Sequence, residues 1–385
     1  YLNEDSAGAG KLDFVHEWKS FLEFKNFGLN ALSSESYESS RTPLFLILNS
    51  YNFFAYNEYT YRLSNFIFNF FIIISYFICL SVQKKYNHSQ IIILTSLLLL
   101  SPYFRTSAYW AHQENFPLLF YFLSLIFLKK FDNNLDNNFV LKIIIIAVIS
   151  SLSFYSDQKF LFVSLFSFLY LFFKSDLNYN KKILIFVIFS LSSIPAFYLF
   201  YIWDGILPKQ AQHRLGFYRE NISASISIIC FYFIPILITI LKKFFKNINK
   251  NDLIIFTIIL FLNLYCLPSF NSSWGNGIIF KLFFVFKNHL NINLLLLQII
   301  YVLFVQICTS AIYLLLKNSL LNFLPLILII LASSIVERTY NEYFDPLILI
   351  LVFTYFKFNK NLVTINGKII RNYAIYSFLF LVFAN

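Results

Sequence analysis

Two adjacent carboxylates, Glu4 and Asp5, open the chain in the stretch YLNEDSAGAG and are followed by small, flexible residues. If a membrane helix ended just before Tyr1, these acids would sit at the mouth of a bilayer. A carboxylate placed there can act as a general base toward an alcohol; the competing reading is a solvated loop acid. A second group lies in SPYFRTSAYWAHQENFPLLF, where Arg105, His112 and Glu114 fall between two apolar runs. A cation at the membrane surface can hold an anionic phosphate by charge-assisted hydrogen bonds, or it can snorkel to lipid head groups. The turn SDQKF brings Asp157, Gln158 and Lys159 to another such boundary. Further along, WDGILPKQAQHRLGFYREN offers Trp203, Asp204, Lys209, His213, Arg214 and Arg219, with Trp203 read as an interfacial anchor or a sugar platform. IVERTYNEYFDP adds Glu337, Arg338, Glu342 and Asp345, the first two able to neutralise each other. These polar segments together suggest a pocket for an anionic, polar ligand at a membrane surface.

The elements that must position these residues are membrane helices. The chain is 58% hydrophobic with 51 Phe and only 13% charged residues, and its mean hydropathy is +0.66. Soluble domains carry roughly 25% charged residues, so a soluble core could not bury this much apolar surface. A span needs roughly 17–25 apolar residues, slightly fewer when aromatic and polar tips extend it. Runs of that kind lie near 62–82, 90–104, 117–130, 139–156, 159–174, 183–203, 222–241, 252–268, 292–316, 319–336, 344–358 and 372–385. The expected fold class is therefore an all-α polytopic membrane protein with about 12 transmembrane helices. Residues 1–60 form a first extracytoplasmic loop with interfacial helices, and 61–385 form the helical domain. The short apolar stretches 43–56 and 278–286 read as interfacial or re-entrant.

Placing residues 1–60 outside puts 17 of the 30 Lys and Arg on the inner side, with at least one Lys in each inner loop. Only four of the 19 acids fall there: Asp132, Asp136, Asp176 and Asp252. That is the orientation expected when basic residues collect in cytoplasmic loops, and it accounts for the net charge of +11 without nucleic acid. The functional face is then the outer one, extracytoplasmic in a bacterial inner membrane or lumenal in the endoplasmic reticulum. The four cysteines lie inside apolar runs without disulfide or metal spacing. The chain starts at Tyr1 and contains no Met, so a preceding segment is expected.

Other chemistries lack their residues. There is no phosphate loop of the GxxxxGK[ST] type and no HExxH, no GxSxG elbow and no zinc-like Cys/His spacing. No charge falls mid-span, which argues against an ion-coupled pump.

The order of motifs is similar to that of the GT-C superfamily of membrane glycosyltransferases. It runs from an acid pair to SSRTPLFLIL, a span opening YRLSN, then HQENFPLLFYFLSL and DQKFLF. In that superfamily an acidic pair or lone Asp follows the first span, matched here by Glu4 and Asp5. The R-x-P-P-L sense is matched by Arg41, Thr42, Pro43 and Leu44, with one Pro. The D-x-P-L-x-x-F-F stretch is matched by Glu114, Asn115, Phe116, Pro117 and Leu118, with Glu for Asp. Lys159 resembles a Lys that starts a later span. Two further patches, IWDGILPKQAQHR and ERTYNEYFDPLIL, resemble dolichyl-phosphate-glucose α-1,2-glucosyltransferases. The resemblance covers residues 1–175 and those two patches.

The resemblance implies sugar transfer from a polyprenyl-phosphate-linked donor to a hydroxyl on a glycan, lipid or protein acceptor, within the lipid bilayer. Asp5 would be the general base, with Glu4 or Glu114 orienting. Lys159, Arg214 and Arg338, backed by Arg105 and His213, would hold the donor phosphate. Arg41, His112, Trp203 and Asp204 would contact acceptor or sugar. No motif demands a cofactor, and a divalent metal is compatible with the chemistry. Three other readings share parts of this pattern: an outer-leaflet polysaccharide polymerase, a transporter of lipid-linked oligosaccharide, and a structural subunit of a membrane assembly. The dry spans count against transport.

Overall fold

A computed structural model describes residues 10–34, 36–39, 41–133, 138–175, 177–244, 246, 248–271 and 276–384. Among these the chain is helical without strands; an isolated antiparallel bridge joins Leu215 and Val336. Two compact units divide it. One runs to His213 and takes in the residues from Leu379 onward, and the other is Arg214–Phe378.

The first unit contains α1 (Gly10–Phe27), α2 (Leu44–Ser50), α3 (Glu58–Gln83), α4 (His88–Leu100), α5 (Pro102–Trp110), α6 (Phe116–Asn133), α7 (Phe139–Ser156), α8 (Leu161–Phe172), α9 (Tyr179–Ser192) and α10 (Ile194–Trp203). The starts of α3 and α4 are written in the sequence. Asn57 and Asn87 each accept from the backbone N–H three residues on, at 2.9 Å, while Thr60 and Gln90 reach back to complete a capping box. Ser101 caps α5 in the same way, and Pro102 takes the first helical position, where its missing N–H costs nothing. That cap explains why the apolar run predicted as one span over 90–104 is broken: α4 and α5 meet at a 65° bend.

Helix α3 is built inside out relative to a soluble helix. It buries Tyr61, Asn65, Asn69, Tyr76 and Cys79, and it exposes Phe66, Phe70, Phe71, Ile74 and Ile78. An exposed apolar stripe of this extent marks an apolar surrounding. Among the described residues five helical stretches are long and apolar enough to cross a membrane: Glu58–Gln83, Phe139–Ser156, Tyr179–Trp203 (α9 with α10), Arg219–Ile240 and Leu294–Leu316. The number is six if α4 and α5 form one broken span. Shorter apolar helices cover Gln158–Phe172 and Leu320–Ser334.

The second unit contains α11 (Arg219–Phe244), α12 (Lys250–Tyr265), α13 (Gly277–His289), α14 (Leu294–Leu316), α15 (Leu324–Ser334), α16 (Leu347–Thr354) and most of α17 (Gly367–Ala384). The predicted span 344–358 holds only the eight helical residues of α16. At 1.5 Å per residue that helix is about 12 Å long, short of the ~30 Å hydrocarbon core. Buried Asp252 closes the capping box of α12 and takes both oxygens to Lys317 Nζ, at 2.9 and 2.8 Å. Tyr301 on α14 donates to the Ser223 carbonyl of α11 at 2.9 Å.

Candidate functional site

The site belongs wholly to the first unit and begins on α1. Phe14, Glu17, Ser20, Phe21 and Phe24 are buried along one face at helical spacing, so a carboxyl sits inside a largely aromatic stripe. Around it lie Tyr37, Phe45, Tyr61, Trp110 and Trp203 in one buried cluster. The first sixty residues, expected as a loop with interfacial helices, thus supply core as well as α1 and α2.

The segment after α1 is stitched down by side chains from three places. Ser20 Oγ accepts from the backbone N–H of Glu38 and of Ser39, both at 3.0 Å. Gln113 Nε2 donates to Ser39 Oγ at 2.8 Å. The Thr42 N–H donates to Gln158 Oε1 at 3.1 Å, and its hydroxyl donates to the Phe154 carbonyl at 2.8 Å. Arg41 is fixed in the middle. Its Nη1 lies 3.6 Å from Glu17 Oε1 and contacts Glu114 Oε1, while Nε lies 3.6 Å from Asp157 Oδ2. Lys159 Nζ approaches the same Asp157 oxygen at 3.2 Å, and the Lys159 N–H donates to Asp157 Oδ1 at 2.9 Å.

Glu114 is delivered by a tight reversal. Ala111 ends α5 in the left-handed region, at φ 59°, which turns the chain into the 3-10 turn Gln113–Asn115. There His112 Nε2 donates to the Gly10 carbonyl at 2.9 Å, tying the reversal to the start of α1. His112 Nδ1 faces Glu114 Oε2 at 3.6 Å, and Asn115 is locked by bonds to Asn69 Oδ1 at 2.8 Å and the Phe104 carbonyl at 2.9 Å.

This enclosure separates the carboxyls electrostatically. Burial pushes Glu17 well above the usual carboxylate range, helped by nearby Glu114, and Arg41 only partly offsets the rise. Burial also raises Glu114, but Arg41, with His112 and Lys159, outweighs it and brings that group down to about 2. Asp13 lies one turn before Glu17 on the same face. It remains exposed, yet desolvation by neighbouring protein raises its carboxyl against the opposing pull of His112 and Arg41. Glu17 Oε2 is buried with no hydrogen-bond partner among the described residues.

Of the residues singled out from sequence, Arg41, His112, Glu114 and Lys159 are brought together here. Glu4 and Asp5 lie outside the described residues. Arg105 is on α5, partly exposed, and Asp204 and His213 are exposed. Trp203 corrects an expectation: it is 1% exposed and donates from Nε1 to the Leu32 carbonyl at 3.1 Å, so its ring is a packing element and offers no face to a sugar. Arg214 and Arg338 belong to the second unit. Arg338 Nε lies 3.8 Å from Glu337, both half exposed, the mutual neutralisation anticipated above. Sequence reasoning missed Asp13 and Glu17 as site residues, and gave Asp157 no role of its own. The signal for Glu17 was its place in the Phe14, Phe21, Phe24 stripe.

Among the described residues no group of three or more His, Cys, Asp or Glu is arranged to hold a metal ion. No family model matches the chain, and neither a curated protein nor a solved structure matches it.

Proposed function

We propose that the chain is a membrane glycosyltransferase of the GT-C kind, moving a sugar from a polyprenyl-phosphate-linked donor to a hydroxyl acceptor at the extracytoplasmic or lumenal face. The observation that carries this reading is a convergence. Arg41, His112 with Glu114, and Lys159 come from three of the stretches on which the resemblance rests, and they meet in one cluster beside apolar helices. In this reading the shorter apolar helices join the long ones in the bilayer, with residues 1–60 on the outer face.

The chemistry assigns the base to Asp13, which combines exposure with a raised carboxyl. A raised carboxyl holds a proton more readily than an ordinary one. Asp13 removes the acceptor hydroxyl proton, and the acceptor oxygen bonds to the anomeric carbon. The bond from that carbon to phosphate oxygen breaks, and the lipid phosphate leaves with the electron pair. Lys159 and Arg41, 14% and 15% exposed, supply positive charge for the leaving group in a site where water is largely excluded.

A second reading rests on the same contacts. Arg41 already touches three carboxylates, which is also what an anchor for α1 would require. Reconstituted protein offered a panel of polyprenyl-phosphate sugars separates the two. Under the transferase reading, Asp13→Asn lowers transfer about 10²–10⁴-fold without altering the thermal midpoint, and Asp5→Asn serves as comparison. Transfer at the full rate in Asp13→Asn removes Asp13 from the mechanism. Absence of transfer from every donor leaves the anchoring reading.

A further inference from the structure

One cation of the first unit plays no part in the cluster around Arg41. Arg62 lies in the second turn of α3, near the end of a helix long and apolar enough to cross a membrane. Its Nε donates to the Tyr109 carbonyl at 3.1 Å. Its guanidinium carbon is 4.1 Å from the centre of the Trp110 ring, 4.3 Å from that of Tyr109 and 5.7 Å from that of Phe14. The Tyr109 and Trp110 rings stand at 89° with centroids 5.2 Å apart, so they form a corner that the cation fills.

Aromatic faces hold a guanidinium through their quadrupole. Such stacking engages the face of the planar group and leaves its in-plane N–H donors available. Beyond Nε, those donors meet no acceptor among the described residues. Arg62 is only partly exposed, and a partly desolvated charge without an anionic partner is costly. The geometry is that of a preorganised fork for a bidentate oxyanion, near the start of a helix long and apolar enough to cross a membrane.

We propose that Arg62, clamped by Trp110 and Tyr109, binds the phosphate group of a membrane lipid. The phosphate can belong to a bulk phospholipid or to a polyprenyl phosphate, and the recognition chemistry is the same. The full chain in dodecyl maltoside, a phosphate-free surround, is titrated separately with phosphatidylglycerol and with a long-chain polyprenyl phosphate, and bound lipid is counted by native mass spectrometry. Hydrogen bonds to a charged group are worth about 1.5–3 kcal/mol, so Arg62→Ala is expected to weaken binding about 10- to 100-fold. Arg62→Lys keeps the charge but not the fork, and falls between. A loss confined to polyprenyl phosphate identifies the carrier lipid; a loss for both identifies head-group phosphate generally. Equal affinity of wild type and Arg62→Ala for both lipids, or no binding of either by wild type, overturns the proposal. Should Arg62→Ala fail to fold, Arg62→Gln carries the same comparison. The readout is binding rather than turnover, so it decides the matter whether or not sugar transfer is found.

Discussion

Glu17 and Glu114 share one guanidinium nitrogen yet hold their protons oppositely. Arg41 Nη1 reaches both carboxyls, burial carries Glu17 well above the usual range, and the surrounding cations bring Glu114 down to about 2. The two behave differently because Glu17 sits among aromatic rings 3.6 Å from the cation, whereas Glu114 touches it directly and has His112 beside it.

Removing the shared cation should strongly destabilise the first unit. Arg41→Ala leaves buried carboxylates without their partner, a loss of about 3–5 kcal/mol for a broken buried pair. The thermal midpoint in detergent is expected to fall sharply, with Arg41→Lys intermediate. An unshifted midpoint in Arg41→Ala would show that the network contributes nothing to stability.

The opposed carboxyls set two pH windows. Glu17 has a raised folded value, so its contribution is fully present below its ordinary 4.5 and is lost as pH rises from there through the folded value. Glu114 is depressed, so its contribution is present above 4.5 and is lost as pH falls toward about 2. Thermal melts across pH should show Glu17→Gln flattening the alkaline-side decline and Glu114→Gln flattening the acid-side one. The reverse assignment of slopes would refute the electrostatic account.

Asn115 anchors the turn that carries Glu114. Its amide donates to Asn69 and to the Phe104 carbonyl, so Asn115→Ala strands a buried acceptor and is expected to cost about 1–3 kcal/mol. If Glu114 must be held in place for transfer, activity falls beyond what the stability loss explains. Activity that tracks folded protein alone would limit Asn115 to a structural role.

In the second unit, Lys317→Ala leaves the 2% exposed Asp252 without its cation. The expected cost is again about 3–5 kcal/mol, and Asp252→Asn in the same background should recover part of it. Failure of the double variant to improve on Lys317→Ala would rule out an unpaired carboxylate as the cause.

The cations Arg41 and Lys159 and the pair His112/Glu114 were legible because each stands out against apolar surroundings. Glu17 was not, because a carboxyl within a short polar-looking helix reads as solvated until Phe14, Phe21 and Phe24 are seen to bury it. Trp203 misled for the opposite reason: a tryptophan at the end of an apolar run looks interfacial, and nothing local says that Leu32, far back in the chain, supplies its hydrogen-bond acceptor. The break at Ser101 was written in the dipeptide Ser-Pro, a cap followed by a first-turn proline, but the apolar run around it masked the punctuation. Hydropathy alone also overstates helix length, as the eight residues of α16 show.

The stitching of Arg41 between α1, the Ala111 reversal and the Asp157 turn has a consequence for biosynthesis. A nascent chain that has reached Arg41 possesses the guanidinium and Glu17 but neither Glu114 nor Asp157, which emerge more than seventy and more than a hundred residues later. Until the Asp157 turn has left the ribosome the guanidinium lacks at least one of its three carboxylate partners, so this lock on α1 closes only after that turn emerges.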